Sequence, residues 1–161
     1  MTVRTISRVA CAFAILSVVA LHAQKEPKRG KACSAPHPEQ YCTAQNTCGG
    51  NGQACTVGVE RTGDSAKVTA SSSAKKGNAL FCVKKGSEVS WEAAEKNLGF
   101  VIDVKPVFPF DKGEAIIGGS GRPVPLTADK TGCFTYTASA CKSGSTYGMC
   151  KTVTGNFIIV E

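Results

Sequence analysis

The sequence predicts an all-β protein, a sandwich of short strands preceded by a disulfide-rich N-terminal cap. From Ala79 onward, short apolar or alternating runs are separated by turn residues, which is typical of a β-sandwich or barrel. Four cysteines fall between residues 33 and 55, where few large apolar side chains are available to build a core. The 161 residues suffice for one core of this kind with a small satellite, but not for two full cores.

Residues 1–23 have the features of a signal peptide. Arg4 and Arg8 precede an apolar run over residues 9–21, and a small-residue cleavage site ends at Ala23. The apolar run is too short to span a bilayer comfortably, and no later stretch approaches that length. We therefore expect cleavage near Ala23, no transmembrane anchor, and a bacterial-type protein that is secreted or periplasmic.

Cysteine usage predicts a disulfide framework. One of the nine cysteines, Cys11, leaves with the leader, and the other eight form an even set that oxidising compartments keep paired. These disulfide candidates are Cys33, Cys42, Cys48, Cys55, Cys82, Cys133, Cys141 and Cys150. Eight cysteines allow about a hundred connectivities. We expect the first four to pair among themselves, Cys82 to pair with Cys133, and Cys141 to pair with Cys150.

The mature chain divides into three zones. Residues 24–32 are polar, charged and interrupted by Pro and Gly, and they form a flexible basic tail. Residues 33–62 form the Cys-rich cap, and residues 63–161 form the sandwich. One helical turn is predicted at residues 91–96. Strands are predicted at Ala66–Ser71, Ala79–Lys84, Glu88–Glu92, Gly99–Lys105, Val124–Ala128, Cys133–Ala138 and Asn156–Val160.

The positive charge is moderate and scattered. Loss of Arg4 and Arg8 with the leader lowers the formal net charge from +7 to +5. Solvated turns and tails account for pairs such as Lys75-Lys76 and Lys84-Lys85 better than a binding stripe does. Without interleaved aromatic residues the chain is not a specific nucleic-acid binder. Anionic envelope components, or another envelope protein, are the partners that this charge allows.

Catalytic and metal-binding motifs are weak. A zinc site from the cap cysteines and His37 would lack a tight Cys-x2-Cys pair, and export favours disulfides over thiolates. The sandwich contains no histidine to activate a nucleophile. Carboxylate pairs such as Glu92 with Glu95, or Asp103 with Asp111, are as well explained as exposed turns. We predict a non-enzymatic protein without a cofactor.

An aromatic group offers a candidate recognition surface. Phe108 and Phe110 flank Pro109 shortly after a predicted strand, on backbone that the proline stiffens. Such residues usually form the edge of a core. If exposed together with Trp91 and Tyr147, they would instead form an apolar surface for a partner.

Several motifs in the second half resemble those of one family. The segments are 81–91 (strand, glycine turn, strand ending in Trp91), 97–104 (Asn-Leu-Gly-Phe-Val-Ile-Asp-Val), 129–136 (a turn and strand), the spacing from Cys141 to Met149, and the closing strand 156–160. Together they resemble the cupredoxin family, in particular its plastocyanin-type domains, over about half of the sequence. This resemblance implies a cupredoxin-like Greek-key β-sandwich.

The resemblance also implies where a copper centre would lie. Blue copper needs two imidazoles, a thiolate and usually a thioether. The family's ligand positions fall on residues that we call degenerate copper-site positions: Ile102, Cys141, Gly144 and Met149. Isoleucine and glycine side chains cannot bind a metal, and a bond from Cys141 to Cys150 would consume the thiolate. Counted from Gly132, the family's cysteine falls nearer Ala138 than Cys141.

The sequence thus predicts a secreted, non-catalytic, cupredoxin-like protein without a functional copper site. A binding or structural module of the cell envelope or periplasm is the expected role. Two alternatives remain open: a copper-binding electron-transfer protein, and a cationic extracellular binder of surfaces or polyanions.

Overall fold

Two β-sheets pack face to face in the computed structural model of this protein, which describes residues 31–63, 65–72, 77–142 and 150–161. Two short 3-10 helices, Ala32–Ser34 and Pro38–Tyr41, come first. Ten strands follow: β1 (Thr47–Cys48), β2 (Cys55–Thr62), β3 (Ser65–Ala70), β4 (Phe81–Lys84), β5 (Glu88–Ala93), β6 (Leu98–Lys105), β7 (Ala115–Gly119), β8 (Val124–Thr127), β9 (Gly132–Lys142) and β10 (Lys151–Val160).

The strands divide into a larger and a smaller sheet. The six-stranded sheet has the order β1-β4-β10-β9-β6-β7, and the four-stranded sheet has the order β3-β2-β5-β8. The β4–β10, β1–β4 and β2–β5 pairs are parallel, whereas the other pairs are antiparallel. The predicted all-β sandwich with a disulfide-rich N-terminal region is confirmed.

Alternating burial along the strands builds the core between the sheets. In β6, Leu98, Phe100, Ile102 and Val104 point inward and the residues between them are more exposed, as the two-residue period of a strand requires. An aromatic cluster fills the centre of the sandwich around the fully buried Phe157. Its ring lies within 5.4–6.5 Å, centroid to centroid, of the rings of Phe81, Trp91, Phe110, Phe134 and Tyr136.

Three strands, β1, β2 and β7, were missed by the sequence prediction, and one helical turn was wrong. Strand β2 is internal to the four-stranded sheet, so the boundary predicted between residues 62 and 63 falls at the end of a sandwich strand. Cys55, Val57 and Val59 are fully buried at alternate positions there, which ties this segment to the sandwich core and not to the cap. Strand β7 was also missed. The predicted turn at residues 91–96 begins inside β5, because Trp91 pairs with Val57 of β2.

Four disulfides cross-link the described residues, and two of them tie the cap to the larger sheet. The bonds are Cys33–Cys133, Cys42–Cys82, Cys48–Cys55 and Cys141–Cys150. The last is the pair that the sequence predicts across its loop. Only Cys48–Cys55 joins two of the first four cysteines, so the expected pairing within the cap was wrong for Cys33 and Cys42.

The expected Cys82–Cys133 bond is excluded by strand order. Strand β10 lies between β4 and β9, and Ile158 is the cross-strand partner of both Cys82 and Cys133. Two strand spacings of about 4.8 Å each therefore separate the two cysteines, whereas a disulfide needs Cα atoms within about 7 Å. Each cysteine instead bonds to the cap that lies over this face.

The cap covers one end of the outer face of the larger sheet. Ala32, Leu80, Cys82 and Ile158 form a second, smaller buried cluster there, with Tyr41 and Cys42 packed against it. The Ala32 N–H donates to the Oδ1 atom of the buried Asn156 at 3.1 Å. The cap is therefore held by apolar packing and a buried hydrogen bond as well as by its two disulfides to the sheet.

Gly155 makes room for Tyr136, its cross-strand partner between β10 and β9. A Cβ atom at position 155 would overlap the Tyr136 hydroxyl and the adjoining ring atoms. We expect Gly155→Ala to lower the free energy of unfolding by about 1–3 kcal/mol through overpacking, measured by urea denaturation. Gly58→Ala is the matched control, because a Cβ atom there meets only the Thr69 carbonyl oxygen, at 3.8 Å. Equal losses in both variants would contradict the steric explanation.

Candidate functional site

The position that resembles the first copper-binding histidine is occupied by an apolar side chain in an apolar environment. Ile102 lies in the middle of β6 between Ile116 of β7 and Ala138 of β9. All three side chains are buried. Because an alkyl side chain has no lone pair to donate, this part of the sandwich offers no metal ligand.

The position of the family's copper-binding cysteine offers no free thiolate, whether it is assigned to Ala138 or to Cys141. Ala138, the alternative counted from Gly132, is the direct cross-strand partner of Ile102 and is fully buried. Cys141 lies three residues further along β9, pairs with Gly99 and is bonded to Cys150. A sulfur atom in a disulfide is not a thiolate, and thiolate is the form that binds metal. Gly144 and Met149 lie outside the described residues. The residues described at this site do not fit a blue-copper centre.

The cap does not assemble a zinc site. Its four cysteines are all oxidised, and His37 is exposed, with its Nδ1 atom 3.3 Å from a carboxylate oxygen of Glu39. Among the residues that the structure describes, no group of three or more His, Cys, Asp or Glu side chains is placed to hold a metal ion. The zinc alternative fails because its sulfur ligands are used in cross-links.

Three of the four aromatic residues predicted as a recognition surface lie in the core or pack against it. Trp91 is fully buried and Phe110 is 5% exposed, with their ring centroids 6.2 Å apart. Phe108 is half-buried and packs edge-on against Phe110 at 5.4 Å. Tyr147 lies outside the described residues. The predicted surface was wrong because Trp91 shares the inward face of β5 with Val89, and burying these rings removes large apolar areas from water.

The candidate catalytic carboxylates have separate structural contacts. Glu95 forms an ion pair with Lys142 at 3.2 Å, and Asp103 lies 3.9 Å from Lys105. The Asp111 carboxylate accepts a hydrogen bond from the Thr127 N–H at 2.8 Å and thereby borders β8.

A polar cleft that the sequence analysis missed lies between two turns. It has a volume of about 450 Å³ and is bounded by residues 50–54 and by residues 85–88. The Gly50 N–H donates to the buried Ser87 hydroxyl at 2.9 Å across its base. Residues 49–52 all have positive φ angles, which glycine and asparagine tolerate. The Gly-Gly-Asn-Gly sequence is therefore the signal that could have indicated this loop.

The charges of this cleft do not favour a polyanion. Its lining contains one cation, Lys85, and one anion, Glu88, so their formal charges cancel. The neighbouring Lys84 places its aliphatic chain against Gly50. The other basic pair, Lys75-Lys76, lies outside the described residues. The described surface around Lys84 and Lys85 therefore looks like a solvated turn, as the sequence analysis favoured.

Comparison with known proteins yields similarity to solved structures alone. No family model matches the chain. No curated protein matches it either. Rusticyanin from Thiobacillus ferrooxidans is 17% identical, with 71% of this chain and 80% of that chain covered and a TM-score of 0.39. A rusticyanin variant is 12% identical over 71% and 81% of the two chains, with a TM-score of 0.41.

A copper-containing nitrite reductase from Thermus scotoductus is a further structural neighbour. It is 14% identical over 66% of this chain but only 22% of that chain, with a TM-score of 0.35. The similarity to these copper proteins is one of fold alone. No helix among the residues described here has the length and apolar character needed to cross a membrane.

Proposed function

We propose that this protein is a secreted, non-catalytic binding or structural module of the cell envelope or periplasm, built on a cupredoxin-like sandwich without a functional copper site. One observation carries the proposal. The two neighbouring positions where a histidine and a cysteine would be needed hold Ile102 and Ala138, which are paired and fully buried. The nearby Cys141 is cross-linked. An anionic envelope component or another envelope protein is the proposed partner.

The disulfides support an extracytoplasmic location. All eight cysteines beyond residue 31 are joined in four bonds. Such bonds persist on the oxidising side of a membrane and are rare in the cytosol. Together with the signal-like segment at residues 1–23, they favour export as the route to the folded state.

Titration with copper(II) tests the proposal. We expect the oxidised protein to develop no strong visible absorption and no rise in melting temperature, since a ligand that binds the native state would raise it. His37→Ala is the matched control, because His37 is the one histidine beyond the predicted cleavage site and is exposed. Weak binding that this variant loses is surface binding. A strong visible band that persists in His37→Ala would show a functional copper site in the sandwich and overturn the proposal.

A further inference from the structure

The Cys141–Cys150 disulfide joins two facing residues at one end of the β9–β10 ladder. The last pair of that ladder is Ala140 with Lys151, and the two cysteines continue its register by one residue in each chain segment. Their Cα atoms are 4.2 Å apart. Because side chains alternate along a strand and Ala140 is buried, Cys141 lies on the outer face of the larger sheet. The S–S bond therefore runs from β9 towards β10 on that outer face.

This bond is more exposed than the other three. Cys55 and Cys82 are fully buried, and Cys133 packs against the smaller buried cluster under the cap. Each of those bonds thus has at least one cysteine that apolar side chains cover. Cys150, by contrast, is exposed and Cys141 is half-buried, and among the described residues neither packs against a buried cluster. Exposed disulfides are the ones that thiols reduce most readily.

The residues beside Cys141 leave one side of its sulfur atom open. Strand β6 lies on the side of β9 opposite β10, and there Cys141 faces Gly99, which in turn faces Gly119 of β7. Neither glycine has a side chain. A Cβ atom at position 99 would meet, among the described residues, only the carbonyl oxygens of Cys141 and Gly118, both at 3.9 Å. There is therefore room for an incoming group over Gly99.

This open space lies in the direction from which a thiol attacks. Thiol–disulfide exchange is a displacement in which a thiolate attacks one sulfur and the other sulfur leaves. The attacking thiolate approaches in line with the S–S bond, opposite to the leaving sulfur. Since the bond runs from Cys141 to Cys150, attack on Cys141 comes over Gly99. Cys150 is then the leaving group, and because it is exposed, water solvates the thiolate that forms.

We propose that Cys141–Cys150 is a site of thiol–disulfide exchange with a dithiol. One thiolate of the dithiol attacks the Cys141 Sγ atom, the S–S bond breaks, and its electron pair leaves with the Cys150 Sγ atom. The second thiolate of the dithiol then attacks its own sulfur in the mixed disulfide and releases Cys141. The dithiol is oxidised to a disulfide by two electrons, and the two protons that it loses are taken up by Cys141 and Cys150.

Reduction at this site should leave the fold in place. Nine residue pairs, from Lys151 with Ala140 to Ile159 with Gly132, still hold β10 against β9. The cap keeps both of its bonds to the larger sheet. The reduced state is then a folded protein with two thiols at the end of one ladder. This exchange is separate from the copper question, and either proposal can fail alone.

Reduction of the folded protein by dithiothreitol tests the site. Samples are quenched with an alkylating agent, and the alkylated cysteines are mapped by mass spectrometry. We expect Cys141 and Cys150 to be alkylated at a rate at least about tenfold higher than any other cysteine, because access controls the exchange. The far-ultraviolet circular dichroism should not change during this step. Opening of another disulfide first, or of all four at one rate, would overturn the proposal.

A steric variant tests the direction of attack. Gly99→Val places two methyl groups in the approach to Cys141 and should slow reduction of the Cys141–Cys150 bond by at least about fivefold. Gly58→Val is the matched control, because it makes the same change in β2 of the other sheet, where a Cβ atom meets only the Thr69 carbonyl oxygen at 3.8 Å. Gly99→Ala, with a smaller effect in the same direction, serves if the valine variant fails to fold. An unchanged rate in Gly99→Val, or equal slowing in both valine variants, would exclude attack over Gly99.

Discussion

Replacing Cys33 and Cys133 together by alanine should lower the free energy of unfolding by about 4–5 kcal/mol. The bond joins residues 100 positions apart, so its loss releases a long loop in the unfolded chain, and the chain-entropy estimate grows with loop length. The cap also loses a direct attachment to β9. Urea denaturation of the oxidised proteins, followed by far-ultraviolet circular dichroism, measures the difference.

The matched control is the double replacement of Cys48 and Cys55. That bond closes a loop with a separation of only 7, for which the same estimate gives about 2 kcal/mol. We therefore expect the two variants to differ by a factor of about two in their stability loss. Equal losses would show that loop length does not govern the contribution of these bonds and that local packing of the cap does.

Truncation of Phe157 should cause a loss of similar size. Phe157 is fully buried at the centre of the aromatic cluster, and its ring stacks on those of Phe81 and Phe134 with centroids 5.5 Å and 5.4 Å apart. Phe157→Ala should cost about 3–5 kcal/mol, the transfer free energy of the ring plus the cavity that it leaves. Chemical denaturation measures the cost, and Phe157→Leu gives a smaller loss if the alanine variant fails to fold.

Phe108→Ala is the control for the aromatic cluster. Phe108 is only half-buried and lies at the rim, against Phe110. Its truncation should cost clearly less than that of Phe157, because part of the ring already contacts water. If the rim substitution proved as costly as the central one, the cluster would not be the main source of core stability.

Local pattern was sufficient to predict most strands after residue 79. Gly86 marks the turn between β4 and β5, and Phe134 and Tyr136 alternate with polar residues in β9. Both signals are local, so they can be recognised without knowledge of the tertiary structure. Strand β2 was open to the same analysis, since Cys55, Val57 and Val59 alternate. It was missed because Cys55 was counted among the cap cysteines, so the whole segment was assigned to the cap. Strand β7 is short and ends in two glycines, which gives it little local strand signal. It was therefore missed, because its strand conformation depends on pairing with β6.

Strand order could not be predicted, and it decided the disulfides. No local feature of Cys82 or Cys133 reveals that Ile158 lies between them. By contrast, Cys141 and Cys150 are close in sequence, so their pairing needs no knowledge of the sheet.

Part of the candidate site could be predicted from the sequence. The substitution of a ligand position by Ile102 is visible in the sequence, and the structure adds that Ala138 faces it. Trp91 was proposed for a recognition surface, although its two-residue spacing from the apolar Val89 places both side chains on the inward face of β5.

The position of β10 has a consequence for biogenesis. β4 has the short β1 on one side and β10 on the other, and β9 has β10 as one of its two neighbours, although β10 is the last of the ten strands to emerge from the ribosome. Contacts between distant segments form slowly, since the intervening chain must first be ordered. The large sheet can therefore be completed only after β10 is available, which agrees with the export that we propose.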